Sequence, residues 1–136
     1  MTSEIPFGAE EISIGGFNRF VGPLYRLPDE AGRPRFAFAA AETHMNAAGT
    51  VHGGMLIALA DVAMSRTARL ASNASNCSTV SLSCDFLAPG RLGEVIEAAV
   101  QVTRLARTVV FLSAEITAAG RRLLVANGVW KVSHAA

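Results

Sequence analysis

The 136-residue sequence predicts an α+β layer fold, with one long helix packed against one antiparallel sheet. Three observations carry this. Leu56, Leu59, Ala60, Ala63 and Thr67 recur at helical spacing between residues 53 and 70. Residues 79–132 divide into segments of about ten residues, each closed by turn formers. No internal repeat, low-complexity tract or linker interrupts the chain, so residues 1–136 read as a single domain.

The elements follow in order. The first 20 residues have weak periodicity, and Gly15-Gly16 marks a break after a short helix or turn. Val21 to Leu27 suits an edge strand, where Pro23 is tolerated. Pro28 to Arg33 is dense in turn residues. Phe36 and Phe38 alternate with small residues along a half-buried strand running to about Glu42. His44 to Val51 reads as a loop, Gly53 to Leu70 as the helix, and the Ser/Asn-rich stretch 71–77 as its end. Strands are expected over Thr79–Leu87, Glu94–Thr103, Thr108–Thr117 and Leu123–Val132. Strands of that length predict a wide, curved sheet.

Composition excludes several classes. Hydrophobic residues make up 51% of the chain, enough for a core. A net charge of +1 gives no electrostatic footprint for nucleic acid. The run Met55 to Ala60 is cut by Asp61, so no membrane span is expected. The start MTSEIPFGAEE lacks the pattern of a signal peptide. Cys77 and Cys84 on one strand would lie about 23 Å apart, too far for a disulfide. A cytoplasmic location is therefore expected.

The stretch GTVHGGMLIALADVAMS, residues 49–65, carries the chemistry. Asp61 could simply face water. Yet between Met55 and Met64 it is the only polar residue, which predicts a helix buried nearly all round. A carboxylate there needs a partner, and is a candidate base or nucleophile. Gly53-Gly54 at the helix start exposes backbone N–H donors that favour a developing oxyanion; a plain tight turn is the alternative. Asp61 lies about 12 Å along the helix axis from Gly53, so one carbonyl cannot reach both in one chain. Two antiparallel copies of the helix, related by an axis near Ile57, would bring them together across a homodimer.

The segment HMNAAGTVHGGMLIALADVAMS resembles the signature of hotdog-fold acyl-CoA thioesterases of the phenylacetate-pathway type, within the 4-hydroxybenzoyl-CoA thioesterase superfamily. The likeness continues through TVSLSCDFLAPGRLGEVIEAAVQVTRLARTVVFLSAEI and covers roughly residues 17–133; residues 1–16 form an N-terminal extension that matches poorly. The resemblance implies a hotdog fold, a long central helix wrapped by a curved antiparallel sheet, assembled as a homodimer and as a dimer of dimers. It implies that Asp61 activates a water or attacks the thioester, and that the Gly53 N–H polarises the carbonyl. It places Asn46 and His52 beside the reacting group and Thr79 beside the carboxylate, and it puts Gly54, Val80 and Ser81 along the substrate.

By residue type alone, His52 could equally be a capping or core histidine. His44 reads as a loop residue, and His134 as part of a tail. No zinc-type spacing occurs, so no metal is expected. No cofactor is expected either, coenzyme A being part of the substrate. Its phosphates need cationic donors. Arg91, Arg104, Arg107, Arg121 and Arg122 fall at strand ends and turns, with Arg107 and then Arg104 the first candidates. The expected partners are acyl-CoA and further copies of the chain, without nucleic acid or membrane. The alternatives are a hotdog hydratase or dehydratase acting on acyl thioesters, and a non-catalytic acyl-CoA-binding protein.

Overall fold

The computed structural model describes residues 4–134. Its strands are β1 (Glu10–Glu11), β2 (Tyr25–Glu30), β3 (Arg33–Ala39), β4 (Asn76–Phe86), β5 (Val95–Leu105), β6 (Val109–Ala118) and β7 (Arg121–Ser133). They form one antiparallel sheet in the order β1-β2-β3-β5-β6-β7-β4. A short helix α1 (Gly16–Val21) precedes β2, and the long helix α2 (Gly53–Ser72) lies between β3 and β4. Helix α2 packs against β3, β4, β5, β6 and β7, so the sheet wraps around it.

The predicted long helix and the four strands after it are present, each strand within three residues of its expected start. The N-terminal third differs. The glycine pair begins α1 rather than closing a helix, and Gly15 takes a positive φ that glycine adopts without strain. Strand β2 starts beyond Pro23 and runs through Pro28, where a register shift between Leu27 and Glu30 absorbs the missing donor. The turn shrinks to Ala31-Gly32.

Helix α2 buries Met55, Leu56, Leu59, Ala60, Ala63, Met64, Thr67 and Ala68. The small residues let the sheet approach closely, and Leu59 and Met64 meet Phe36, Phe38, Ile96, Ile116 and Leu124 in the core. Trp130 of β7 is fully buried and donates its indole N–H to Ser65 Oγ at 2.7 Å. That bond pins the middle of α2 to the sheet. Asn73 ends the helix in the left-handed conformation expected of a C-terminal cap.

The expectation that α2 is buried all round is corrected. Asp61, Val62, Ser65 and Arg66 are half-buried, and Ile57 is 37% exposed. Ile57, Asp61 and Ser65 form a row one turn apart along the flank of the helix, where Asp61 and Ser65 meet the sheet only through Thr79, Cys77 and Trp130. Beside that row runs β4, an 11-residue edge strand paired only with β7. Such a long open edge is a template for pairing with another chain.

Strand β4 carries a bulge. Thr79 pairs with Trp130 and Ser81 with the next residue back, Val129, leaving Val80 unpaired and 64% exposed. Before the bulge, Cys77 and Thr79 reach α2; after it, Leu82 and Cys84 pack against the core. Opposite the bulge, a Cβ on Gly128 would lie 2.7 Å from Ser81 O and collide with the Trp130 ring. Neither can move freely, so Gly128→Ala should cost about 1–3 kcal/mol of stability. A shifted denaturant midpoint at fixed protein concentration measures it; an unchanged midpoint would show that the sheet yields there.

Candidate active site

The site is built from two clusters at opposite ends of the first half of α2. The first is the loop entering the helix. Met45 and Val51 form an isolated bridge that pinches residues 46–50 into a tight turn. Asn46 organises it: its Oδ1 accepts from the N–H groups of Ala48 and Thr50, both at 3.0 Å, and its Nδ2 donates to Thr50 Oγ1 at 2.9 Å. Behind the loop, buried His44 accepts the Ala41 N–H on Nδ1 at 3.0 Å and donates from Nε2 to Val21 O at 2.6 Å. Its ring also meets Phe38 edge-on. His44 is thus a brace that ties the loop to the segment before β2.

His52 is the N-cap of α2. Its Nδ1 accepts the Gly54 N–H at 2.8 Å, which places the imidazole hydrogen on Nε2. Met55 and Leu56 donate back to His52 O. Among the described residues, that leaves the Gly53 N–H as the first helical donor without an acceptor. Gly53 also faces the Phe86 ring of β4, and a Cβ there would lie 3.1 Å from Cε1.

The second cluster lies two turns on. Thr79 Oγ1 donates to Asp61 Oδ1 at 2.6 Å, a short charge-assisted bond that fixes the carboxylate and leaves Oδ2 open. Asp61 opens into a groove of about 260 Å³ walled by Ile14, Asn18, Val62, Ser65, Arg66 and Cys77. Burial pushes the Cys77 thiol up from its ordinary value, and Cys77 donates to Ser65 O. Burial and then Asp85 push Cys84 the same way. Neither cysteine offers a thiolate near neutral pH, so Asp61 is the groove's anionic group.

The structure therefore brings Asn46, His52, Gly53 and Gly54 together, and Asp61 and Thr79 together. It does not bring the two sets together within one chain. Val80 and Ser81 sit exposed at the bulge next to Thr79. Arg104 and Arg107 lie at the β5–β6 turn, at the end of the sheet that carries Asn76 and Ser133, remote from Gly53. Arg121 is committed to Glu94, with two bonds of 2.8 Å, and Arg122 to Glu115. Among the described residues, no group of three or more His, Cys, Asp or Glu gathers as metal ligands. A larger concavity of about 610 Å³ lies between the β2–β3 hairpin, β5 and the far end of α2, and holds none of these residues. Sequence reading missed Arg66 and Arg69, whose signal was two arginines one turn apart directly after Asp61.

The chain is similar to known proteins over most of its length. Residues 48–125, which hold the paired glycines, Asp61 and Thr79, match the profile of the thioesterase superfamily. This chain belongs to that superfamily, a family of thioester hydrolases, and carries its hotdog fold. A Pseudomonas aeruginosa protein named as an esterase is 31% identical over 81% of this chain and 83% of its own. Human acyl-coenzyme A thioesterase 13 is 26% identical over 82% of this chain and 80% of its own. The solved structure of a variant of PaaI, a phenylacetic acid degradation protein from Thermus thermophilus, superposes with TM-score 0.75 at 25% identity, covering 85% of this chain and 97% of that one. The chain spans only 59% of a Caenorhabditis elegans relative, also named as an esterase, that it matches at 27% identity. Among the described residues, no helix is long and apolar enough to cross a membrane.

The cap makes a separable prediction. His52→Ala should lose about 0.5–2 kcal/mol of stability, and His52→Asn should recover most of it, since asparagine is among the best N-caps. Chemical denaturation of both variants checks this. Equal losses would show that the imidazole does more for the fold than accept one N–H.

Proposed function

We propose that this chain hydrolyses an acyl-CoA thioester to the free acid and coenzyme A, at sites shared between two protomers. The observation that carries the reading is the pair of unfilled groups on α2. One is the Gly53 N–H at the positive end of the helix, and the other is the Thr79-anchored Asp61 beside a groove. The first suits a carbonyl oxygen that becomes an oxyanion. The second suits proton abstraction from a water, or direct attack on the carbonyl carbon. In the water route, Asp61 takes the proton as the C–O bond forms. The tetrahedral oxyanion rests on Gly53, the C–S bond breaks, and the thiolate leaves and is protonated. His52 Nε2–H and the remaining Asn46 Nδ2 hydrogen are donors available at the same loop.

The edge strand supports the shared arrangement. Gly53 lies against Phe86 near one end of β4, and Asp61 against Thr79 nearer the other. A two-fold axis near Leu82–Ser83 would pair β4 antiparallel with its copy. The Gly53–Phe86 end of one protomer would then approach the Asp61–Thr79 end of the other. The same axis passes near the exposed Ile57, midway between Gly53 and Asp61, and burying its side chain and Val80 would favour association. Further pairing of dimers, the coenzyme A contacts of Arg104 and Arg107, and a cytoplasmic location belong to this reading as well.

A panel of acyl-CoAs, followed by free-thiol release, tests the activity. A hydratase would change enoyl absorbance without releasing thiol, and a binding protein would do neither. Asp61→Asn keeps size and the bond from Thr79 but cannot act as base or anionic nucleophile. It should lower turnover by at least about 10²–10⁴-fold while the protein still binds acyl-CoA. Turnover near that of wild type would make the carboxylate structural and remove the mechanism.

A further inference from the structure

Arg66 follows Asp61 by five residues on α2 and Arg69 by eight, and both line the groove that opens at Asp61. Arg66 Nε is sealed from solvent and has no hydrogen-bond partner. Among the described residues, neither guanidinium forms an ion pair or donates a side-chain hydrogen bond. Four other arginines form ion pairs: Arg35 with Glu97 and Glu30, Arg121 with Glu94, Arg122 with Glu115, and Arg26 with Asp29. The charges acting on Arg66 are mostly of its own sign. Arg69 and Arg26 oppose it, and Glu10 is the one counter-charge. Burial first, and these two cations second, hold its pKa below the ordinary arginine value, yet arginine stays charged near neutral pH. A guanidinium with its Nε sealed and unpartnered, and with cations outnumbering its counter-charge, costs the fold free energy. An anion in the groove would offset that cost.

The groove says which anion fits. Its volume of about 260 Å³ lies below the range of drug-sized ligand pockets and suits a short acyl chain better than the nucleotide of coenzyme A. Ile14 and Val62 supply apolar wall beside Asp61. The helical rise sets Arg66 and Arg69 roughly 7–12 Å beyond Asp61 along the axis. A carboxylate at the far end of a short acyl chain would meet them there. Without those cations, Asp61 would repel such a substrate.

We propose that Arg66, backed by Arg69, forms an anion-binding end to the acyl subsite, and that the favoured acyl group carries a carboxylate at the end remote from the thioester. The proposal rests on the thioesterase reading only in setting the thioester at Asp61. The chain's substrates would then be mono-CoA thioesters of short dicarboxylic acids.

The test compares each such thioester with the monocarboxylic acyl-CoA of equal chain length, by thiol release. Wild type should favour the carboxylate-terminated member by about ten- to a hundredfold in kcat/KM, the scale of charge-assisted hydrogen bonds. Arg66→Gln should bring the ratio close to one. Arg66→Lys, which keeps charge but not the planar fork, should retain part of it. Circular dichroism establishes that both variants fold, and the wild-type ratio needs no variant. No preference in wild type, or a preference untouched by Arg66→Gln, overturns the proposal. So does an equal loss on both thioesters that disappears with acyl-pantetheine substrates, which would assign Arg66 to the phosphates of coenzyme A. Should neither thioester release thiol, the hydrolytic reading fails by itself. Calorimetric binding of the same pair then decides the subsite: tighter binding of the carboxylate-terminated thioester upholds it, and equal binding overturns it.

Discussion

An α-helix rises about 1.5 Å per residue, and that figure constrains everything else in this molecule. The donor suited to an oxyanion stands at the first position of α2, and the carboxylate stands eight residues later. No rotamer closes the resulting gap of about 12 Å. On the proposed mechanism, a single chain therefore holds two half-sites, each needing a second chain. The unfinished features of the fold lie on the same side: the unpaired edge of β4, the half-open face of α2, and an isoleucine left partly in solvent between the two halves.

Local irregularities hold the half-sites in place. The bulge at Val80 shifts the alternation of β4 by one residue. Thr79 can then face Asp61 while Leu82 and Cys84 still face the core. Gly128 makes room for that bulge beneath the Trp130 ring, and Trp130 grips Ser65, one turn beyond Asp61. The carboxylate is thus positioned from both sides, by β4 directly and by β7 through the helix backbone. At the other half-site, Asn46 and His52 spend most of their polar capacity on the loop and the helix cap. Their first contribution is to leave the Gly53 N–H as the donor with nothing else to bind.

Much of this was legible in the sequence because period and turn chemistry are local. The limits of α2 followed from its apolar spacing, and the last four strands from Pro-Gly, Arg-rich and Ala-Gly turns. The distance argument from Gly53 to Asp61 needed only the helical rise. What depends on tertiary packing was not legible. Apolar composition suggested burial of α2 all round, whereas the sheet of one chain covers one side. Proline suggested that β2 ends before Pro28, whereas a bulge carries the strand through it. Arg66 drew no notice in the sequence, because only the fold seals its Nε from solvent and leaves it without a partner.

The most direct measurement of the central claim mixes two inactive variants under proven subunit exchange. Asp61→Ala removes the carboxylate. Gly53→Pro removes the N–H at the first helical position, where proline is tolerated. His52 already has ψ 133, which a following proline requires, and the half-exposed Phe86 ring can shift to admit the new ring. Each variant alone should be nearly inactive. In randomly exchanged dimers, half would pair the two variants, and each of these would regain one of its two sites, giving roughly a quarter of wild-type activity. No recovery despite exchange would contradict a site shared between protomers.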